Sequence, residues 1–329
     1  MGTASTHSNE QKSTVMAHVT RYDIDSLFQR QLHDWELLRC NYAALENVKT
    51  REFAIGSTRF RVQFNPARII SSAAKVDTQS IKQRRCFLCG SNRPNEQEGL
   101  PWSDDYVILA NPYPIFPRHL TIPTLEHIPQ RISGRITDMM RLAADMEDFV
   151  VFYNGPCCGA SAPDHAHFQA GNKGFMPYDQ DMKLNGSITQ VAACNGATLG
   201  MVTNLARTAF AIQASSIDGG TEMFERLYNA MPIPSDKSEP MLNILCQTTA
   251  KGQWRIDVFP RRKHRPACYY TAGTDNILIS PASVDMGGVF ITPREKDFKK
   301  ITAADIKNIL DEVCIDANDA ALIIKRMKQ

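Results

Sequence analysis

Short segments that favour β-strands follow one another along this chain without a helix between each pair, and this order limits the possible folds most. Hydrophobic residues alternate with polar ones on both sides of Gly56-Ser57, which predicts a hairpin. Residues 106–110 and 119–123 are predicted as two more strands, with only a proline-rich segment between them. A parallel sheet would need a helix after nearly every strand. The sequence therefore predicts an α+β fold with antiparallel sheets flanked by helices.

Apolar spacing predicts helices on both sides of these strands. One is expected from Asp25 to Leu45, and another from Thr137, which leads into a buried strand at 150–153. In the second half, strands are predicted at 210–215, 242–247, 254–259, 277–279 and 289–292. Helices are predicted at 222–231 and 303–313.

The chain is predicted to have three parts. Residues 1–20 are polar and rich in Ser and Thr, and we expect them to be disordered, although residues 1–6 also fit the loose pattern for N-myristoylation. We place an N-terminal half at 21–200 and a C-terminal half at 201–329. The boundary depends on the turn-forming pair Asn195-Gly196 and on Gly200.

Composition excludes several classes of protein. The chain has 37 basic and 35 acidic residues and a formal net charge of +2, so it lacks the general positive field that attracts nucleic acid. No segment reaches the roughly 18 apolar residues of a membrane helix. Nine cysteines in a long chain without a secretory signal predict the reducing cytoplasm, where cysteines serve metal binding or packing.

The strongest chemical signal lies in residues 163–169, where His165, His167 and Gln169 occupy alternate positions. On an extended segment, side chains two residues apart point to the same face. Two imidazoles and a carboxamide in one row can bind a metal, a phosphate or both. A strand whose histidines are only surface polar groups would have the same sequence. Small residues at 155–161 would let backbone N–H groups approach an anion closely.

A second signal is the Cys-x-x-Cys pair of Cys86 and Cys89, which ends in a glycine as a usual half-site for zinc does. The chain has no second pair, so further ligands would come from histidines. Four histidines lie downstream in the first two-thirds of the chain: His119, His127, His165 and His167. A redox pair would be expected at a strand-to-helix turn, but a polar run follows here. Two unrelated packed cysteines are the alternative.

Together these motifs resemble the histidine-triad superfamily, and within it the nucleotidyltransferase branch. This branch contains galactose-1-phosphate uridylyltransferase, diadenosine tetraphosphate phosphorylase and the GDP-hexose phosphorylases. It ends its histidine motif in glutamine, as Gln169 does here. The segments at 129–132, 258–261 and 280–288 resemble the GDP-hexose phosphorylases most, whereas the cysteine pair resembles the uridylyltransferases. The resemblance covers about residues 50–315 and implies two histidine-triad-like halves in one chain.

The resemblance also implies roles for individual residues. His167 matches the family's nucleophile, and Gln169 matches the amide that stabilises a phosphate. A structural zinc ion is implied, with Cys86, Cys89, His127 and His165 as its ligands. Phosphate contacts are implied at Asn154 and Ser161, and further substrate-binding candidates are Asn65, Gly159 and the cations Arg68 and Arg261. The basic run that begins at Arg261 is also typical of a solvated loop. The second half contains only His264, so no histidine-rich second metal site is expected.

The activity that this resemblance implies is a double displacement at the α-phosphorus of a nucleoside diphosphate sugar. His167 would attack, a sugar 1-phosphate would leave, and phosphate or another sugar phosphate would take the nucleotidyl group. A carbonyl of the 154–161 loop would hold the proton on the other ring nitrogen. The alternatives are uridylyl transfer, phosphorolysis of a dinucleoside polyphosphate, a zinc-stabilised nucleotide-binding module without turnover, or a plain structural zinc protein. We expect no nucleic-acid or membrane partner, and a monomer or homodimer in which Arg68 acts in cis or in trans.

Overall fold

The computed structural model describes residues 18–74 and 76–328. The myristoylation pattern and most of the segment expected to be disordered lie outside this range. The strands are β1 (Lys49–Ile55), β2 (Thr58–Phe64), β3 (Gly99–Trp102), β4 (Tyr106–Ala110), β5 (His119–Pro123), β6 (Phe149–Asn154), β7 (His167–Asn172), β8 (Ser187–Cys194), β9 (Ala197–Thr203), β10 (Ala209–Ala214), β11 (Leu242–Thr248), β12 (Trp254–Pro260) and β13 (Val289–Thr292).

Five of the helices in the described residues have only four to six residues: α3, α4, α8, α9 and α10. In order, the helices are α1 (Arg21–Asp34), α2 (Glu36–Leu45), α3 (Ile69–Ser72), α4 (Thr78–Gln83), α5 (Ile136–Asp145), α6 (Pro177–Leu184), α7 (Ile217–Ala230), α8 (Ala267–Tyr270), α9 (Ser283–Met286), α10 (Glu295–Lys300), α11 (Ala303–Val313) and α12 (Ala317–Met327). No helix in the part of the chain that the structure describes is both long and apolar enough to span a membrane.

One ten-stranded antiparallel sheet forms the centre of the molecule, with the strand order β3-β4-β5-β7-β6-β11-β12-β10-β9-β8. Strands β3 to β7 form one half and β8 to β12 the other, and the two halves have the same order outward from the pair β6–β11. Each half also has its helix, α5 or α7, between its third and fourth strands. The predicted α+β fold is therefore confirmed, with two halves of equal topology in one chain.

Two hydrophobic cores lie on opposite faces of this sheet. One face packs against α1, α2, α5, α7 and α12, with Leu142 and Phe224 among its fully buried residues. The other packs against helices α9 to α11 and a three-stranded sheet in the order β1-β2-β13. The chain thus has a layered core in which C-terminal helices and the sheet β1-β2-β13 cover the second face, and this face carries the predicted site.

Several predictions about elements need correction. The helix expected from Asp25 to Leu45 is two helices, because Trp35 has an extended backbone between α1 and α2. Residues 277–279 form no strand. The pair Asn195-Gly196 is the turn of the β8–β9 hairpin, with positive φ at both residues. Residue 200 lies inside β9, so the change from one half of the sheet to the other occurs earlier, between β7 and β8.

The two halves differ in what covers equivalent positions. In register across the sheet, Gln169 pairs with Phe152, Phe152 with Leu245, and Leu245 with Asp257. Asp257 is thus the counterpart of Gln169 in the second half. Around it, Arg255 is bound by both Asp257 and Asp179, which makes a buried ion cluster. In the second half, the side chains of this ion cluster therefore occupy the space that is open at the equivalent position of the first half.

The ion cluster generates the first prediction. Asp257→Asn should lower the free energy of unfolding by about 3–5 kcal/mol, because it leaves a buried arginine without its full charge partner. Chemical denaturation would measure this change. Asp311→Asn, in the exposed pair with Lys307, is the matched control and should leave the unfolding curve almost unchanged. Equal curves for Asp257→Asn and the wild type would contradict the proposed importance of the cluster.

Candidate active site

A cavity of about 630 Å³ lies over the first half of the sheet. Its walls come from strands β4 to β7, from α3 and α4, and from the segment that leads into and through α9. Six of the residues predicted from the sequence line it: Arg68, Asn154, Gly159, Ser161, His167 and Gln169. Chain segments far apart in sequence therefore meet around one space, and His167 lies in its wall.

The His167 ring has a defined protonation pattern. The side chain is 3% exposed, and its Nδ1 lies 2.8 Å from the carbonyl oxygen of His165. A carbonyl can only accept, so Nδ1 carries the hydrogen and Nε2 keeps its lone pair. Burial lowers the pKa of His167 to about 4, which keeps the ring neutral at pH 7. The acceptor is the carbonyl of His165, and the expectation of one in the 154–161 loop is wrong.

The carboxamide of Gln169 is oriented by His119. The backbone N–H of Ile115 donates to Nδ1 of His119 at 3.2 Å, so the ring hydrogen must lie on Nε2. That Nε2 is 3.0 Å from Oε1 of Gln169 and donates to it. Burial lowers the pKa of His119 to about 3, so the ring stays neutral. The NH₂ group of Gln169 is thereby left for the cavity.

The carboxamide of Asn154 is oriented in the same way. Its Oδ1 accepts the backbone N–H of Ser283 at 2.8 Å and Nδ2 of Asn243 at 3.0 Å. Asn243 cannot turn over, because its own Oδ1 accepts from Nη1 of Arg261 at 2.6 Å, and arginine can only donate. The NH₂ group of Asn154 is therefore also directed to the cavity.

Arg261 does not face the cavity, and the prediction that it contacts substrate is wrong. Its guanidinium is buried, and all its five N–H groups are used. The acceptors are Asn243 and the carbonyls of Pro281, Val313, Lys263 and His264. The residue fixes Asn243 and the wall segment at Pro281, so its effect on the cavity is indirect.

Asn65 is the other predicted site residue that the structure leaves outside the cavity wall. It is 4% exposed, and its Nδ2 donates to the carbonyl of Pro114 at 3.0 Å. Nearby, Arg68 does line the cavity while one of its nitrogens donates to the carbonyl of Tyr113 at 2.9 Å. Burial lowers the pKa of Arg68 to about 10, so it remains a cation at neutral pH. Asn65 supports the proline segment against which Arg68 is held.

The loop of small residues after β6 packs tightly against the opposite wall. Gly159 has a φ of 94°, and a Cβ there would lie 2.5 Å from the Cβ of Ala282. Only glycine fits this backbone and this approach. Ser161, two residues on, lines the cavity. The glycine therefore lets the loop pack against the C-terminal segment, and an approach of its backbone N–H groups to an anion stays a prediction.

Four side chains next to the cavity can hold a metal ion. Donor atoms of Cys86, Cys89, His127 and His165 all lie within 4.8 Å of one another. Sγ of Cys86 is 3.3 Å from Nδ1 of His165, and Sγ of Cys89 is 3.1 Å from Nδ1 of His127. Ligands around a tetrahedral zinc are separated by about 3.5 Å, as its bond lengths require.

The second shell of this cluster also fits a metal. Nε2 of His165 lies 2.8 Å from the carbonyl of Thr124, so it donates there and leaves Nδ1 free to bind. His165 precedes β7, which begins at His167. The expected row of three side chains on one strand therefore applies to His167 and Gln169 only.

Some site residues were missed in the sequence. Arg84 lines the cavity and forms an ion pair with Asp164. The central carbon of its guanidinium lies 5.3 Å from the centre of the Phe87 ring. Its position two residues before Cys86 is the only sequence signal for it. Asn243 lies in an ordinary strand pattern and gave no signal. His119 was considered only as a metal ligand, although its position beside β7 gives it a different role.

Two family models match the chain. The first, described as a domain of unknown function, DUF4922, matches residues 27–172. The second, described as GDPGP1-like, C-terminal domain, matches residues 227–325. The first match contains the metal-binding cluster, His167 and Gln169. The second contains Asn243 and Arg261, which orient Asn154 from the other half.

Yeast phosphorylases are among the known proteins to which this chain is similar in sequence and structure. Diadenosine 5',5'''-P1,P4-tetraphosphate phosphorylase 2 of Saccharomyces cerevisiae is 30% identical over 146 residues, which cover 40% of this chain and 44% of the relative. The alignment thus spans less than half of that relative. The crystal structure of yeast Ap4A phosphorylase Apa2 with AMP has a TM-score of 0.57 at 16% identity, and covers 85% of this chain and 95% of its own. Apa2 with Ap4A gives 0.51 at 16% identity over 89% and 95%. At this identity, the structural likeness shows the shared fold.

The orientation of Gln169 generates the second prediction. His119→Phe keeps an aromatic ring but removes the donor that holds Oε1, so the carboxamide can turn its oxygen to the cavity. The affinity for inorganic pyrophosphate, measured by calorimetry, should fall about 10-fold to 100-fold, the range for losing one hydrogen bond to a charged group. Gln169→Glu should weaken binding further, because it adds a negative charge. Wild-type affinity in His119→Phe would contradict the orientation argument.

Proposed function

We propose that this chain, as a member of the nucleotidyltransferase branch of the histidine-triad superfamily, transfers a nucleotidyl group through a covalent intermediate on His167. The observation that carries the proposal is the state of that ring. Its Nδ1 hydrogen is held by a carbonyl, which leaves the lone pair on Nε2, and the ring lines a cavity whose wall also carries two oriented amide donors. A nucleophile of this kind splits one difficult displacement into two easier ones.

The first step forms a bond from Nε2 of His167 to the α-phosphorus of the substrate. The bond from that phosphorus to the bridging oxygen breaks, and the sugar 1-phosphate or nucleotide leaves with the electron pair. The ring becomes cationic, and the carbonyl of His165 stabilises it through the Nδ1 hydrogen. In the second step, an oxygen of inorganic phosphate attacks the phosphorus, the P–N bond breaks, and the neutral ring returns.

The surrounding residues stabilise charge and select the acceptor. The NH₂ groups of Gln169 and Asn154 would donate to non-bridging oxygens, and losing one such donor costs about 10²–10³ in rate. Neither amide can remove a proton from water. Phosphate brings its own charge and needs no base, so phosphorolysis or transfer is favoured over hydrolysis. Among the described residues, Arg68 and Arg84 are cations of the cavity wall that would balance the phosphates.

The first candidate substrate is a nucleoside diphosphate hexose, as for a GDP-hexose phosphorylase. It is supported by the C-terminal match to the GDPGP1-like domain. The second candidate is a dinucleoside polyphosphate such as Ap4A, and the 30% identity to the yeast phosphorylase favours it. Uridylyl transfer to a hexose phosphate is a third candidate within the same mechanism. The cytoplasmic location and the oligomeric state, a monomer or a homodimer, stay predictions.

The metal of the Cys86, Cys89, His127 and His165 cluster would be zinc with a structural role. Two thiolates and two imidazoles at these separations are a usual zinc set. When bound, the ion would supply charge that fixes the four side chains, with no open position for a catalytic water. The chain's own contribution is the Thr124 carbonyl, which sets the orientation of His165.

The third prediction tests the covalent step. Incubation with α-labelled GDP-hexose or Ap4A, without phosphate, should give an acid-labile nucleotidyl adduct on His167, which peptide mass analysis would locate. His167→Ala should form none and yet stay folded. Adding phosphate should release the nucleoside diphosphate. An adduct on another residue, or nucleotide binding without any adduct, would refute the mechanism and support a binding module without turnover.

The same assay separates the candidate substrates. Initial rates of adduct formation with GDP-, UDP- and ADP-hexoses and with Ap4A would be compared at equal concentrations. A clear preference for one GDP-hexose would support the first candidate. A preference for Ap4A would support the second.

The fourth prediction concerns the metal. Purified protein should contain about one zinc per chain by elemental analysis, and Cys86→Ser should lose it together with thermal stability. Cys40→Ser, an exposed cysteine far from the cluster in sequence, is the matched control and should retain the metal. A folded wild-type protein without metal would contradict the site.

A further inference from the structure

The side chain of Gln130 lies where a backbone peptide would be expected between β6 and β7. The ladder between these two strands includes the pair Phe152–Gln169. Two positions further in register, Asn154 would lie opposite His167, but the ladder of paired residues ends at Phe152–Gln169. Gln130, on the segment before α5, is 1% exposed and fills this position with its carboxamide. The two strands are thus joined through a side chain at the point where they separate.

The carboxamide makes all the contacts that a peptide group would make. Its Oε1 accepts the backbone N–H of His167 at 2.8 Å. Its Nε2 donates to the carbonyl of His167 at 3.0 Å and to the carbonyl of Asn154 at 3.0 Å. Both hydrogens of the NH₂ group are therefore used. The two carbonyls can only accept and the backbone N–H can only donate. The amide therefore cannot turn over without losing all three hydrogen bonds.

These bonds join the two residues on which the proposed chemistry depends most. The chain of His167 carries the nucleophilic ring, and that of Asn154 carries an amide donor for the phosphate. We infer that Gln130 is a positioning residue that sets the distance and angle between the ring of His167 and the amide of Asn154. This inference rests on the proposed function. A shift of about 1 Å in such a pair can cost 10²-fold in rate.

Gln130 is itself held from the second half of the chain. Its backbone N–H donates to the carbonyl of Pro163 at 3.2 Å. Two residues on, the N–H of Ile132 donates to Oε2 of Glu239 at 2.9 Å. Glu239 is 2% exposed, and its other oxygen accepts the hydroxyl of Tyr153 on β6. The segment with Gln130 is therefore held at Pro163 on one side and, through Glu239, at β6 on the other, which makes its carboxamide a rigid spacer.

The fifth prediction uses Gln130→Met, which keeps the size of the side chain and removes its three hydrogen bonds. The single-turnover rate of adduct formation on His167 should fall about 10²-fold. The dissociation constant of the unreacted nucleotide should change little, because the cavity wall keeps its other contacts. Gln31→Met is the matched control, since Gln31 is also fully buried, lies in α1 and does not line the cavity. It should react at the wild-type rate.

Other measurements separate the outcomes. Amide hydrogen exchange should show loss of protection at His167 in Gln130→Met and retained protection at Ala170, within the ladder. If Gln130→Met does not fold, Gln130→Glu gives the same test with nearly the same shape. An adduct formed at the wild-type rate in a folded variant would overturn this inference alone. No adduct in the wild-type protein would overturn the proposed function and this inference with it.

Discussion

Groups that can only donate or only accept decide how the cavity is equipped. A carbonyl of His165 places the hydrogen of His167 on Nδ1, and the N–H of Ile115 places that of His119 on Nε2. Arg261 fixes the amide of Asn243. His119 in turn orients the amide of Gln169, and Asn243 orients that of Asn154. Two NH₂ groups and the lone pair of His167 are thus directed to the cavity. The preorganisation that electrostatic stabilisation requires is thus built from ordinary hydrogen bonds.

The two halves of the sheet have the same topology, but one is open at the position where the other is filled. In the first half, the position of Gln169 faces open space. In the second half, the equivalent position of Asp257 lies inside an ion cluster with Arg255 and Asp179, under α6. A buried ion pair adds little net stability compared with apolar packing, but removing one partner is costly. The second half therefore acts as a support, with Asn243 of β11 and Arg261, directly after β12, orienting Asn154 of the first half.

Local patterns in the sequence predicted much of the fold. Strands β4 and β5 and helix α11 were predicted at their observed limits, because their apolar periodicity is clear and their ends carry prolines or caps. The strand β8 is mostly exposed, so its alternation is weak, and it was missed. The metal-binding cluster was predicted from a family resemblance, and the structure brings its four side chains together. Arg261 was misassigned because charge in a sequence does not show whether a guanidinium is already satisfied. Gln130 and Asn243 could not be assigned roles, since these depend on which strands become neighbours.

The pair β6–β11, where the two halves meet, has a consequence for how this molecule can change. Asn154 comes from the part of the chain that contains His167, yet Asn243 and Ser283, which orient it, come from the other part. A fragment that ends after β7 would keep His167 and the metal ligands but would lose the correct direction of the Asn154 amide. Exchanging either segment with that of a homologue would therefore have to preserve the contacts that Asn243 and Ser283 make with Asn154.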